Sequence, residues 1–263
     1  MKGMLDFARA KREGRPFSMV TSYDAWSARL AAQAGIDCLL AGDSAAMVVH
    51  GFPDTLHATP EMMVMHTAAV RRGAPELFVV ADMPFLTFRK GPAVALEVAG
   101  DLMRAGASAV KLEGVRGHEE TVAQLVGSGI PVTGHLGLTP QSVHQLGGYR
   151  VQGRSSEDAA RLLDDARALE RLGAFSVVLE CVPEQLAADI TAAISIATIG
   201  IGSGHRTSGQ VLVMHDLLGL QDEFRPRFAR RYLEGHEVVR DALARYAADV
   251  RDARFPAREE ILC

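Results

Sequence analysis

From residue 17 to about residue 219 the chain alternates short apolar runs with amphipathic helical stretches. The runs, rich in Val, Leu, Ile and Ala, fall at 17–23, 38–43, 77–82, 109–113, 131–136, 175–180, 196–201 and 210–215. Such runs, a few residues long and mostly apolar on both faces, are the mark of strands buried in a parallel sheet. Parallel neighbours need crossover connections, which helical stretches near 25–35, 60–72, 91–105, 118–128, 156–172 and 183–194 supply. Eight β units joined this way form either a closed barrel or a large open sheet, and the count favours a (β/α)8 TIM barrel.

Local signals agree with these boundaries. Thr59-Pro60-Glu61 places an N-cap before a first-turn proline, and Ser155 with Asp158 resembles a capping box. Gly35, Gly73, Gly106, Gly129 and Gly173 mark helix ends. One link departs from the repeat: 202–209, between the seventh and eighth runs, is too short for a full helix. The segment 224–254, with apolar Phe228, Tyr232, Val238, Val239, Leu243 and Val250 among arginines and alanines, reads as one or two extra C-terminal helices. The chain 1–263 is thus expected to be a single barrel domain whose helical extension packs on the barrel exterior or on a neighbouring subunit.

Charge and cysteine usage narrow the function. With 28 basic and 32 acidic residues, a net charge of −4 and no long basic run, the chain is not expected to bind nucleic acid. No stretch approaches the ~18 apolar residues of a membrane span, and the start MKGMLDFARAKREGRPF carries charges throughout, so a cytoplasmic protein without a membrane partner is expected. Cys38, Cys181 and Cys263 are an odd set with no CxxC spacing, which argues against a disulfide framework and a structural zinc site. Cys181 follows Glu180 and should point to the opposite face, away from any site Glu180 serves.

Four of the runs end at a carboxylate: Asp43 after CLLAG, Asp82 after LFVVA, Glu113 after AVKL and Glu180 after FSVVL. Barrel active sites lie at the carboxyl ends of the strands, so these acids should converge. Asp43 and Asp82, on neighbouring strands and without a His or Cys companion, suit a hard cation, Mg2+ first. Lys111 and Glu113 are two apart and share a strand face. They form either a structural ion pair or a pair that neutralises an anionic substrate and supports the metal. His135, at the exit of the fifth run, could donate to a substrate oxygen. Glu180 suits a general base, or else a further metal ligand or salt-bridge partner. The stretch IGIGSGHRTSG could cradle a phosphate or serve only as a tight connection.

The segments GDSAAMVVHG, HTAAVRRGAP, ADMPF, VKLEG, GHLGLTPQSV, GGYRVQGR, LECVP and GQVLVMHD, in this order from about Tyr23 to Phe255, resemble the ketopantoate hydroxymethyltransferase family. That resemblance implies a (β/α)8 barrel that assembles as a homodecamer and depends on Mg2+. It implies transfer of a hydroxymethyl group from 5,10-methylenetetrahydrofolate to 3-methyl-2-oxobutanoate, through a Mg2+-stabilised enolate, for pantothenate and coenzyme A synthesis. It also implies roles: Asp43 and Asp82 as metal ligands with Glu113 close to the ion, Asp43, Ser44, Asp82 and Lys111 against the keto acid, His135 beside it, and Glu180 as the base. Two departures stand out, Ala45-Ala46-Met47 where Leu-Gly-Met is common in the family and Gly202-Ser203-Gly204 in place of Gly-Ala-Gly. The rival readings are another Mg2+-dependent barrel enzyme of 2-oxo acids, such as a lyase or mutase resembling isocitrate lyase or phosphoenolpyruvate mutase, and a non-catalytic barrel that kept a ligand site. Folate dependence separates the first rival from the transferase.

Overall fold

The computed structural model describes residues 1–222 and 225–262, so Phe224, where the helical extension was expected to begin, and Cys263 lie outside the described residues. The chain divides into two compact units, Met1–Val213 and the segment from Met214 onward. In the first unit strands β1 (Phe17–Thr21), β2 (Cys38–Ala41), β3 (Phe78–Asp82), β4 (Ala109–Glu113), β5 (Val132–Gly137), β6 (Ser176–Glu180), β7 (Ala197–Ile201) and β8 (Gly209–Leu212) follow the expected runs. They pair in parallel in sequence order, and β1 pairs with β8, so the sheet closes into the expected (β/α)8 barrel.

The helices of this unit are α1 (Met4–Arg12), α2 (Ala25–Gln33), α3 (Ala45–Val48), α4 (Pro60–Gly73), α5 (Pro92–Arg104), α6 (Glu119–Gly127), α7 (Val143–Leu146), α8 (Ser156–Arg171) and α9 (Glu184–Ala193). The Thr59 and Ser155 hydroxyls act as N-caps, accepting from the backbone N–H groups of Met62 and Asp158, while the Asp158 carboxylate pairs with Arg161 instead of closing the expected capping box. Two features differ from the expectation. Strand β8 stops at Leu212, because the chain turns helical at Met214 instead of continuing to 215. Helix α1 was not expected at all, since it precedes the first apolar run and buries only Phe7 and Ala10.

Alternate strand positions share a face, and one parity on each strand fills the barrel. Phe17, Met19, Cys38, Leu40, Phe78, Val80, Ala109, Val178, Ile199 and Val211 form one buried cluster with Phe7 of α1. The Phe7 ring is fully buried and lies 5.1 Å, centroid to centroid, from Phe17, Phe78 and Phe175 in edge-on contacts. Phe17 and Phe78 open their strands and Phe175 immediately precedes β6, so α1 plugs the amino-terminal end of the barrel. Lys11 ties the plug down by donating to the carbonyls of Thr191, Ile194 and Ile196 around the end of α9.

The glycine-rich link before β8 is a tight connection. Gly202 and Gly204 have φ of 63° and 77°, a conformation that favours glycine, and Gln210 closes the loop by donating to the Gly204 carbonyl and the Thr207 hydroxyl.

The second unit contains α10 (Met214–Leu217) and α11 (Gly235–Arg251), tied by backbone bonds from Tyr232 to Leu217, from Gly235 to Leu218 and from His236 to Gly219. Val238, Val239, Leu243, Tyr246 and Val250 on α11 are exposed. Among the described residues no helix is long and apolar enough to cross a membrane.

Removing the plug should be costly. Phe7→Ala is expected to destabilise the protein by about 3–5 kcal/mol in urea denaturation, the usual loss for a buried aromatic. A change below about 1 kcal/mol would contradict the plug, given that range.

Candidate active site

At the carboxyl end of the barrel the interior parity changes from apolar to charged. Asp82 closes β3 and stands in register with Lys111 on β4, so their side chains meet inside the barrel. Lys111 Nζ lies 2.7 Å from Asp82 Oδ1, and both side chains are almost wholly buried. Two residues on, Glu113 is in register with His135 on β5, and His135 Nδ1 lies 3.3 Å from Glu113 Oε1. The other imidazole nitrogen, Nε2, lies 3.1 Å from Glu180 Oε2 at the end of β6. Lys111 and Glu113 therefore share the inward face, as their spacing required.

Asp43 lies beyond the end of β2, where strand parity no longer applies. Its backbone N–H donates to Asp82 Oδ2 at 2.9 Å, and its own carboxylate Oδ2 accepts from Gln141 Nε2 at 2.8 Å. Ser44 follows, its hydroxyl 2.9 Å from the Tyr23 hydroxyl. The structure thus brings Asp43, Ser44, Asp82, Lys111, Glu113, His135 and Glu180 to one end of the barrel.

Gln141 and Tyr23 were not singled out from the sequence. Gln141 sits in the short turn Pro140–Ser142 after β5, and its backbone N–H donates to Glu113 Oε2 at 3.0 Å. The one available signal was an amide inside the motif GHLGLTPQSV, since no strand or helix period places a loop residue.

The approach of β5 to β6 depends on Gly137. It pairs in register with Glu180 and has φ of 93°, and a Cβ there would stand 2.2 Å from the Glu180 carbonyl oxygen. Cys181 also takes a left-handed backbone, with φ of 47°. Burial and the neighbouring Glu180 charge push its thiol up to about 12, so it is no nucleophile at neutral pH. That agrees with a Cys181 that takes no part in the site.

Burial and the Asp82 charge push the Asp43 carboxyl well above the usual carboxylate range, although Lys111 and Gln141 oppose the shift. Burial works against the Lys111 ammonium, but Asp82, Asp43 and Glu113 outweigh it and raise its pKa. For His135, burial and Lys111 favour the neutral ring, yet the hydrogen bonds to Glu113 and Glu180 prevail and raise it to about 9. As an imidazolium it pairs with both carboxylates, while the Lys111 ammonium lies 2.7 Å from Asp82 Oδ1 and 3.3 Å from His135 Nδ1.

Were all four acids ionised, they would exceed the Lys111 ammonium and the His135 imidazolium by two negative charges, and that excess in a buried site is part of what raises the Asp43 carboxyl. That excess fits a divalent cation. Among the described residues no three His, Cys, Asp or Glu groups are already drawn together as a metal cluster. Mg2+ asks for less, since it keeps several waters and takes one or two protein carboxylates. Asp43 and Asp82 are the two carboxylates that could hold it.

The model of the family described as ketopantoate hydroxymethyltransferase matches residues 2–258. The chain belongs to the ketopantoate hydroxymethyltransferase family. It is 50% identical over 260 residues to the 3-methyl-2-oxobutanoate hydroxymethyltransferase of Bdellovibrio bacteriovorus, covering 99% of both chains. It is 49% identical over 255 residues to the protein of that name from Coxiella burnetii, covering 97% of this chain and 96% of that one. Among solved structures, a 2,3-dimethylmalate lyase of the PEP mutase/isocitrate lyase superfamily is similar in fold, with a TM-score of 0.62 at 20% identity, covering 100% of this chain and 92% of that one. A phosphonopyruvate hydrolase in complex with oxalate and Mg++ has a TM-score of 0.66 at 13% identity, covering 99% of this chain and 93% of that one.

Within the ketopantoate hydroxymethyltransferase family, the departure at Ala45-Ala46 falls on α3, where both alanines are buried against the barrel top. The backbone bond from Asp43 to Asp82 is made two residues before Ala45 and does not involve them. The carboxylate set is intact despite the altered motif.

His135 generates a pH test on metal-free protein. Its pKa is raised from 6.5 unfolded to about 9 folded, so the stability it adds is full below pH 6.5 and fades as the pH rises through 9. The stability advantage of wild type over His135→Gln in urea is therefore expected to shrink by about 3 kcal/mol from about pH 6 to about pH 10. A difference that stays flat across that range contradicts the imidazolium.

Proposed function

We propose that this site transfers a hydroxymethyl group from 5,10-methylenetetrahydrofolate to 3-methyl-2-oxobutanoate, yielding 2-dehydropantoate (ketopantoate) and tetrahydrofolate. The observation that carries the reading is the buried carboxylate excess at the barrel mouth with Glu180 held by His135, in a chain about half identical to proteins of that name. Asp43 and Asp82 would hold Mg2+, with Glu113 close by. A divalent cation there would supply positive charge to the keto acid oxygens as negative charge develops on them.

The chain's own residues do the rest. Lys111, fixed by Asp82 at 2.7 Å, offsets the charge of the substrate carboxylate, and the Ser44 hydroxyl is oriented by Tyr23 for a hydrogen bond to it. Glu180 takes the C3 proton as general base. Since His135 engages Glu180 Oε2, Oε1 is the oxygen left to receive it. One of the two carbon–nitrogen bonds to the folate one-carbon unit breaks, its nitrogen taking up a proton, as the enolate forms a carbon–carbon bond to that carbon. Water then supplies the hydroxyl oxygen as the remaining carbon–nitrogen bond breaks, its proton goes to the leaving nitrogen, and tetrahydrofolate leaves. The rigid barrel top keeps base and substrate aligned through both steps.

Assembly and location belong to the same proposal. The family resemblance implies a homodecamer, and the exposed apolar residues of α11 support a homo-oligomer. A cytoplasmic location fits a biosynthetic enzyme of this kind.

Proton NMR of the purified protein with 3-methyl-2-oxobutanoate, Mg2+ and 5,10-methylenetetrahydrofolate tests the reaction. Ketopantoate is expected in the complete mixture and absent when EDTA is added or folate is omitted. Turnover of a 2-oxo acid without folate would favour carbon–carbon cleavage instead. Glu180→Gln is expected to abolish turnover while calorimetry still shows keto acid binding, and a rate near wild type would remove the base. Asp82→Ala is expected to weaken Mg2+ binding, and an unchanged titration would take Asp82 out of the cation site.

A further inference from the structure

We propose that Gln141 is a positioning residue for the cation site: it holds the Asp43 carboxylate in place and offers its side-chain oxygen to a water bound by the cation. The inference rests on Asp43 and Asp82 as cation ligands. Gln141 is buried, and both of its amide hydrogens are committed, Nε2 lying 2.8 Å from Asp43 Oδ2 and 3.0 Å from the Met83 carbonyl oxygen. A carbonyl only accepts, so the amide cannot turn over without facing Met83 with a second acceptor. The backbone N–H of the same residue donates to Glu113 Oε2. One loop residue thus touches two of the acids assigned to the cation.

What remains is Gln141 Oε1. It is buried and has no hydrogen-bond partner among the described residues. Asp82 Oδ1, Glu113 Oε1 and His135 Nε2 have ion-pair partners at 2.7, 3.3 and 3.1 Å, but no such partner reaches the Gln141 oxygen. Sharing an amide carbon with Nε2, Oε1 lies within about 5 Å of Asp43 Oδ2. Lys111 lies against Asp82 and His135, and His135 against Glu113 and Glu180, and neither of them hydrogen-bonds Gln141 Oε1. A buried acceptor left open is costly unless something donates to it. Mg2+ retains several waters when protein carboxylates bind it, and their polarised O–H groups are suitable donors for an amide oxygen. Gln141 would therefore bind the hydrated cation from both sides, through the carboxylate it orients and the water it receives.

Mn2+ serves as the probe, titrated by electron paramagnetic resonance into substrate-free wild type, Gln141→Met and Gln141→Asn. Both variants are expected to bind Mn2+ about 10- to 100-fold more weakly, the usual effect of losing an outer partner of a metal ligand. Their far-ultraviolet circular dichroism should match wild type. A purely structural glutamine would instead lower the melting temperature and leave Mn2+ affinity within about twofold of wild type, far short of the loss of an outer partner, and that result overturns the proposal. If the Met variant fails to fold, Gln141→Asn, which keeps an amide too short to reach Asp43, carries the test. Wild type that does not bind Mn2+ overturns the cation assignment and this inference together, which separates the two failures.

Discussion

The ion pair between Lys111 and Asp82, 2.7 Å apart inside a closed barrel, is the constraint around which the rest of the site is arranged. An ammonium so deeply buried is tolerated only when paired and hydrogen-bonded. Asp82 answers it with one oxygen and uses the other to accept the backbone N–H of Asp43. That bond fixes the chain leaving β2 and so aims both Asp43 and Ser44. Gln141 holds Asp43 in turn and reaches Glu113 through its backbone, while His135 bridges Glu113 to Glu180. The acids are not independent rim residues. Removing Asp82 leaves the buried Lys111 without its ion-pair partner, and removing Glu113 or Glu180 leaves His135 with one carboxylate instead of two.

The barrel divides its labour along its axis. Its amino-terminal end is closed by aromatic packing around Phe7, and its middle is filled by aliphatic residues. Burial of this kind supplies the stability against which a strained, charge-rich upper layer can be maintained. The left-handed backbone at Cys181 and the close approach at Gly137 both sit beside Glu180, where the geometry of one carboxylate matters most.

Much of this was legible in the sequence because strands encode their faces with a period of two. Lys111 and Glu113 pointing together, and the convergence of Asp82, His135 and Glu180, follow from that period once the barrel closes. The run lengths placed the strands because a parallel sheet buried on both faces needs continuous apolar residues. Period failed where it does not apply. Asp43 stands past the end of β2, and its orientation comes from a backbone bond to a residue 39 positions away. Gln141 meets Asp43 across 98 residues, a contact that no local pattern records. Helix α1 escaped notice because it lies ahead of the strand–helix alternation and buries only two residues.

The central claim is that Glu180 forms an enolate at C3 of a 2-oxo acid, and proton exchange reads that step directly. Protein saturated with Mg2+ and 3-methyl-2-oxobutanoate in D2O, without folate, is followed by NMR for loss of the C3 proton. Exchange that depends on wild-type Glu180 and on metal is the expected result. A folded, metal-saturated protein that binds the keto acid yet leaves its C3 proton in place would contradict the enolate and the role given to Glu180.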